Sequence, residues 1–189
     1  MTTRERLSVE AARLFADRGY HGTSVADLAQ ALGIRKSSVY AHIDLKEDLL
    51  AEIALAGAGH FHAALDALPD GGAPLKRLRL ALLAHLGVVH SQLDVATVWL
   101  NEWRFLEGDR LKQFTTERRR YERRVEQLFT AAIKAGELPA GLDRRHAVLV
   151  FFSIGNWAYT WMTPKTDVDA EAEAFWALML RGFLAGAPA

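Results

Sequence analysis

Residues 24–42 read SVADLAQALGIRKSSVYAH. Ser24 stands where a helix N-cap belongs, and Asp27 follows three residues later as the acidic partner of a capping box. Val25, Leu28 and Leu32 recur at helical spacing up to Gly33, a residue that ends helices. A third short helix is predicted over about Arg35 to His42. Two short helices meeting at Gly33-Ile34, with the small Ala29 one turn before the corner, have the form of a helix-turn-helix. Val25, Leu28, Leu32, Ile34 and Val39 can close a small core with Leu14 and Phe15. The opposite face of the third helix carries Arg35, Lys36, Ser37, Ser38, Tyr40 and His42. Donors for base edges and phosphates on a short exposed element are what a major-groove helix needs. Short polar-faced helices after a glycine are also common on ordinary surfaces, and these residues by themselves leave both readings open.

Outward from this stretch, apolar residues keep helical spacing almost everywhere, and Pro and Gly fall between the periodic segments. Nine helices are predicted, giving an all-α fold. The first runs from about Thr3 to Arg18 and stops at Gly19; the second covers about Val25 to Leu32. Asp44, with Glu47 three residues on, is the expected cap of a fourth helix reaching about Leu68. Residues 69–74, Pro-Asp-Gly-Gly-Ala-Pro, form the clearest break, and Pro74 suits the first turn of a fifth helix ending near Gln92. The sixth spans about Asp94 to Leu106, and the seventh opens at Gly108-Asp109 and ends at Gly136. Asp143 is expected to cap an eighth helix that stops before Pro164, and Asp169 a ninth that runs to about Gly186.

Composition narrows the class. Of 189 residues about half are apolar, enough for one ordinary core or a small module on a larger one. Lys plus Arg number 23 and so do Asp plus Glu, so any nucleic-acid surface must be a local patch. The absence of cysteine excludes disulfides, thiolate metal sites and cysteine nucleophiles. The N-terminal residues lack an apolar signal-peptide core, and the longest apolar candidate, Ala147 to Met162, is too short to span a bilayer and contains Asn156. A cytoplasmic protein with no membrane partner is expected.

Two segments carry a family resemblance. Phe15 to Ala29, with Gly19, Tyr20, Gly22, Thr23, Ser24 and Leu28-Ala29, is similar to the first half of the signature of the TetR family. Gly33 to Ile43, followed by Lys46-Glu47-Asp48-Leu49-Leu50, resembles the rest. The resemblance covers about the first fifty residues with correct spacing. It implies a homodimer whose three-helix DNA-binding head joins a ligand-binding, dimerising body of about six helices. Residues 1–47 would form the helix-turn-helix domain and 48–189 the ligand-binding and dimerisation domain. By the same resemblance Lys36, Ser37 and Ser38 would meet base edges, and Thr23, Tyr40, His42 and Lys46 would meet phosphates. Double-stranded operator DNA is the implied partner. The chain departs at Ile43, where the family usually has an aromatic, and at Leu45, where a small polar cap is usual.

In the remaining chain, the eighth helix is apolar nearly all round, from Val148 through Phe151, Phe152 and Trp157 to Trp161 and Met162. Such a helix must be buried on every side, and with Phe175, Trp176, Leu178, Met179 and Phe183 of the ninth it predicts dimerisation. Trp99 and Trp103, with other aromatics of the body, would line a cavity or simply fill a core. Glu102 falls on the apolar stripe of the sixth helix and Asn156 inside the eighth; polar groups so placed need partners, of which a ligand is one. On the seventh helix Arg110 and Arg118 project within or beside the apolar face, and Arg120 and Arg124 flank it. Half-buried arginines want anions, either nearby glutamates or a ligand phosphate.

The stretches Asn101 to Phe105, Gln127 to Phe129, and Gly155 to Trp161 resemble the acyl-CoA-responsive branch of the TetR family. That resemblance implies a repressor released by a small effector, a CoA thioester, with no cofactor. The alternative is a multidrug-type repressor sensing small hydrophobic compounds. An enzyme is disfavoured: there is no nucleophile elbow, phosphate loop or zinc-binding histidine motif, and His85 and His90 are poorly spaced for one metal. Neither catalytic nor metal-ligating residues are expected.

Overall fold

The computed structural model describes residues 1–185, and among them the only regular elements are helical. They are α1 (Thr3–Arg18), α2 (Val25–Leu32), α3 (Lys36–Val39), α4 (Lys46–Asp66), α5 (Pro74–Ser91), α6 (Leu93–Asn101), α7 (Gly108–Lys134), α8 (Arg144–Trp157) and α9 (Val168–Ala185). Short 3-10 segments follow α6 (Glu102–Phe105) and α8 (Ala158–Thr160). The expected end of the ninth helix at Gly186 lies outside the described residues.

Local chemistry explains most of the boundaries. Thr2 caps α1 and Ser24 caps α2, each in a reciprocal capping box, with Glu5 and Asp27 respectively. Asp143 caps α8 by accepting the His146 N–H at 3.1 Å. Two expected caps move. The box that opens α4 is closed by Asp48, which accepts the N–H groups of Leu45 (2.7 Å) and Asp44 (3.2 Å), so neither Asp44 nor Glu47 has the role assigned from sequence. Asp167 rather than Asp169 bonds the first turn of α9, accepting from Ala170 N at 3.1 Å.

Three helices are shorter than their apolar patterns. α3 closes at Val39, whose carbonyl accepts the N–H groups of both His42 and Ile43. α6 yields to a 3-10 turn at Asn101, where the Arg104 guanidinium takes the Asn101 carbonyl at 2.7 Å. α8 tightens after Trp157, and the Ala158 carbonyl receives both Trp161 and Met162 before Pro164.

The chain forms two compact units, Met1–Gly59 with Gln92–Arg118, and His60–Ser91 with Arg119 onward. In the first, α1 packs on α2 and α6, and α2 on α3, around buried Leu7, Phe15, Leu28, Val39 and Leu50. In the second, α5 packs on α8 and α9, around buried Leu78, Leu82, Phe129, Phe151 and Phe183. No single helix among the described residues is long and apolar enough to cross a membrane.

Candidate functional site

The helix-turn-helix corner is built by backbone geometry. Gly33 adopts the left-handed conformation (φ 67°), which a Cβ would strain, and its N–H and that of Ile34 return to carbonyls at the end of α2. Leu28, Leu32 and Val39 are buried beneath the corner, whereas Val25 and Ile34 are half-buried. Arg35, Lys36, Ser37, Ser38, Tyr40 and His42 remain exposed, so the polar face expected of α3 is presented to solvent. Tyr40 keeps 49 % of its surface accessible, which places it outside the core.

Two residues expected at phosphates are engaged inside the head. Thr23 is fully buried; its hydroxyl donates toward the carbonyls of Leu14 (3.1 Å) and Gly19 (3.0 Å). A hydroxyl enclosed in this way cannot reach a phosphate, so the side chain of Thr23 positions the α1–α2 turn instead. The Lys46 ammonium donates to the carbonyls of Tyr20 (2.6 Å) and Thr23 (2.7 Å) and lies 4.0 Å from the centroid of the Tyr20 ring. Burial lowers its pKa below the usual lysine value. One N–H of the ammonium is left for other work.

The same turn is braced from the far side of the first unit. Glu102 is buried, and its carboxylate accepts the Tyr20 N–H at 2.6 Å and the Asn101 side-chain amide at 2.8 Å. The Tyr20 ring stacks on Phe105 with centroids 5.9 Å apart. Arg110 pairs with Glu47 (3.5 Å) and Asp48 at the start of α4. Trp99 is buried and Trp103 stacks on Phe114 with centroids 5.3 Å apart; the Arg118 guanidinium lies 4.9 Å from the Trp103 ring. Glu102, Trp99, Trp103, Arg110 and Arg118 are thus brought together in one unit, with Arg110 satisfied by carboxylates and Arg118 resting on an indole.

The second unit holds the other expected ligand residues. Arg120 is exposed. Arg124 is half-buried and donates to the His62 carbonyl (3.2 Å) and Asp66 (2.5 Å). Asn156 is half-buried, and its Oδ1 is enclosed with no hydrogen-bond partner among the described residues. Close by in sequence, Gly155 backs onto His85: a Cβ there would come within 2.7 Å of the His85 ring. His85 is fully buried, and its Nδ1 meets the Tyr121 hydroxyl at 3.0 Å. Desolvation pushes the His85 pKa down to about 3 against a smaller upward pull from the Gly155 backbone, so the ring is neutral. Sequence reasoning weighed His85 only as half of a metal pair. The signal that points to it is its place on the buried stripe of α5 with Leu78, Leu82 and Leu86. Among the described residues no cluster of His, Asp and Glu is arranged to hold a metal ion.

Comparison with known proteins converges on one family. Residues 9–53 match the model described as bacterial regulatory proteins, tetR family, and residues 71–183 match that of the tetracyclin repressor-like C-terminal domain. The chain belongs to the TetR family. TetR membership makes it a DNA-binding transcriptional regulator of the helix-turn-helix class rather than an enzyme. The fatty acid metabolism regulator protein of Bacillus subtilis (strain 168) is 23% identical over 176 residues, covering 91% of each chain. The solved TetR-family regulator PfmR from Thermus thermophilus superposes with a TM-score of 0.85 at 30% identity, covering 96% of this chain and 97% of that one. AibR, solved with isovaleryl coenzyme A and operator DNA, gives a TM-score of 0.82 at 27% identity, again covering 96% and 97%. Like these TetR-family structures, the chain is all-helical with its helix-turn-helix at the N-terminus.

Proposed function

We propose that this TetR-family regulator is a cytoplasmic repressor that binds a near-palindromic operator as a homodimer and is released by an acyl-CoA thioester. The observation that carries the effector class is the likeness to AibR, a neighbour captured with both isovaleryl coenzyme A and operator DNA and matched over 96% of this chain. The Bacillus fatty acid metabolism regulator supports the same class. In this reading residues 1–47 read DNA, with Lys36, Ser37 and Ser38 at base edges and Tyr40, His42 and the remaining donor of Lys46 at phosphates. Residues 48–189 bind effector and partner subunit. Within the second unit, Arg120 and Arg124 are the cations for the CoA phosphates, and Asn156 meets a polar atom of the ligand.

Dimerisation is supported by an apolar face left open on a single chain. Leu149, Val150 and Trp157 of α8 and Leu178 and Leu184 of α9 are exposed, from 41 % for Val150 to 64 % for Leu178. Side chains of this kind on two packed helices mark an association surface. Release follows if the ligand binds one arrangement of the dimer better than the one that fits a fixed groove spacing.

One observation favours the second reading, a repressor of the multidrug type. Arg124 already has a carboxylate partner in Asp66, and a phosphate would have to displace it. Native mass spectrometry of the protein with a panel of CoA thioesters, free CoA and hydrophobic drugs separates the two. Retention of thioesters, with operator affinity falling as they are added, is the expected result. Binding of uncharged drugs alone would overturn the acyl-CoA reading.

A further inference from the structure

The second unit contains a polar pair that its own fold leaves half satisfied. His85, on α5, is surrounded by rings: Phe61 at 4.7 Å between centroids, Tyr121 at 5.8 Å, Phe151 at 6.1 Å and Phe152 at 6.2 Å. Its Nδ1 is taken by the Tyr121 hydroxyl. Its Nε2 lies against the backbone of Gly155, which pulls only weakly on the ring proton, and it makes no hydrogen bond of normal geometry among the described residues. Burial raises the Tyr121 pKa, so the phenol stays protonated and can donate to Nδ1. In that tautomer the imidazole proton sits on Nε2, which is then a donor without an acceptor. One helical turn beyond Phe152, on the same stripe of α8, Asn156 carries a second enclosed polar atom without a partner.

An enclosed donor without an acceptor is destabilising, and core positions are normally filled by apolar residues that avoid the cost. Two unpartnered polar atoms on adjoining helices, the donor His85 Nε2 within its aromatic shell and the acceptor Asn156 Oδ1, fit a bound molecule that is apolar over most of its surface and polar at one end. We propose that His85, oriented by Tyr121, donates from Nε2 to a carbonyl or hydroxyl oxygen on the hydrocarbon part of the effector, with Asn156 Oδ1 accepting from an N–H or O–H of the same molecule. In the acyl-CoA reading, on which this assignment of the oxygen rests, that atom is the thioester carbonyl. Tyr121 is a positioning residue: removing its hydroxyl frees the ring to take the other tautomer.

The test has two arms on the full-length protein. In the first, isovaleryl-CoA is compared with the matching S-alkyl-CoA thioether, which lacks the carbonyl, by calorimetry. Wild type should prefer the thioester by about ten-fold, and Tyr121→Phe and His85→Leu should abolish the preference. Equal affinity of wild type for both compounds would overturn the proposal while leaving the acyl-CoA reading intact. In the second arm, 4-methyl-2-pentanone and 2-methylpentane are titrated into protein labelled with 15N-histidine. The ketone alone should shift the His85 Nε2 resonance, and Tyr121→Phe should weaken the response. Response to the ketone without binding of any CoA compound would remove the acyl-CoA reading and keep the polar site. An Nε2 resonance unmoved by the ketone and by the thioester would sink the site itself. Both wild-type measurements decide the matter even if His85→Leu fails to fold.

Discussion

The carboxylate of Glu102 accepts the backbone N–H of Tyr20 at 2.6 Å, across 82 residues of sequence. The bond ties the 3-10 segment after α6 to the turn that leads into the helix-turn-helix. Lys46 holds the opposite side of that turn through the carbonyls of Tyr20 and Thr23. The geometry of the turn that enters the helix-turn-helix therefore depends on side chains outside it.

Replacing Glu102 with Ala should leave the Tyr20 N–H enclosed without an acceptor. The expected loss is about 1–3 kcal/mol of stability, read by urea unfolding, together with weaker operator binding. Glu102→Gln keeps an acceptor oxygen and should recover most of both. An Ala variant as stable as wild type would show that the bond holds nothing.

Tyr40→Ala and Lys46→Ala should behave differently although both residues belong to the DNA-binding segment. Tyr40 is exposed, so its loss should weaken operator binding with little change in melting temperature. Lys46 is built into the turn, so its loss should lower melting temperature as well as affinity. Lys36→Ala should change base preference, whereas Lys46→Ala should also reduce the salt dependence of binding by about one counterion. Fluorescence anisotropy at several salt concentrations, beside thermal melts, distinguishes the three.

A charge at the exposed apolar face should prevent association. Leu178 is the most exposed of the five large apolar residues of α8 and α9 that remain open. Leu178→Glu should sediment as a monomer or aggregate, and should bind a full operator far more weakly than wild type. A dimer of wild-type strength in the variant would place the subunit contact elsewhere.

His85 should make the protein acid-sensitive. Its pKa in the fold is about 3, against 6.5 for an ordinary histidine. The unfolded chain therefore binds an extra proton between these values, and unfolding takes it up. The stabilisation is complete above about pH 6.5 and is lost as the pH falls toward about 3, with a limiting slope of about 1.4 kcal/mol per pH unit. The carboxylates of Asp27 and Asp143, held below the ordinary carboxylate value first by the Ser24 hydroxyl and by the His146 side chain respectively and then by their backbone cap bonds, are protonated below that ordinary value. The difference between wild-type and His85→Gln unfolding curves from pH 7 to 4 isolates the histidine. Parallel curves would show that the ring is accessible to protons in the folded state.

Much of this molecule is written locally. Ser24, Asp27 and Gly33 decide where α2 starts and stops because each acts on backbone groups within a few residues, so the helix-turn-helix and the exposed face of α3 are legible in the chain. The all-α class follows from apolar spacing for the same reason. Only the tertiary structure decided which polar side chains are used up internally. Thr23 and Lys46 look like surface donors until the turn closes around them, and Arg110 and Arg124 look like anion sites until Asp48 and Asp66 are brought alongside. His85 reads only as half of a poor metal pair until α4, α7 and α8 surround it with Phe61, Tyr121 and Gly155. Caps and periodicity act over a few residues, whereas a hydrogen-bond partner or a desolvating neighbour is supplied by chain that is distant in sequence and near only in the fold.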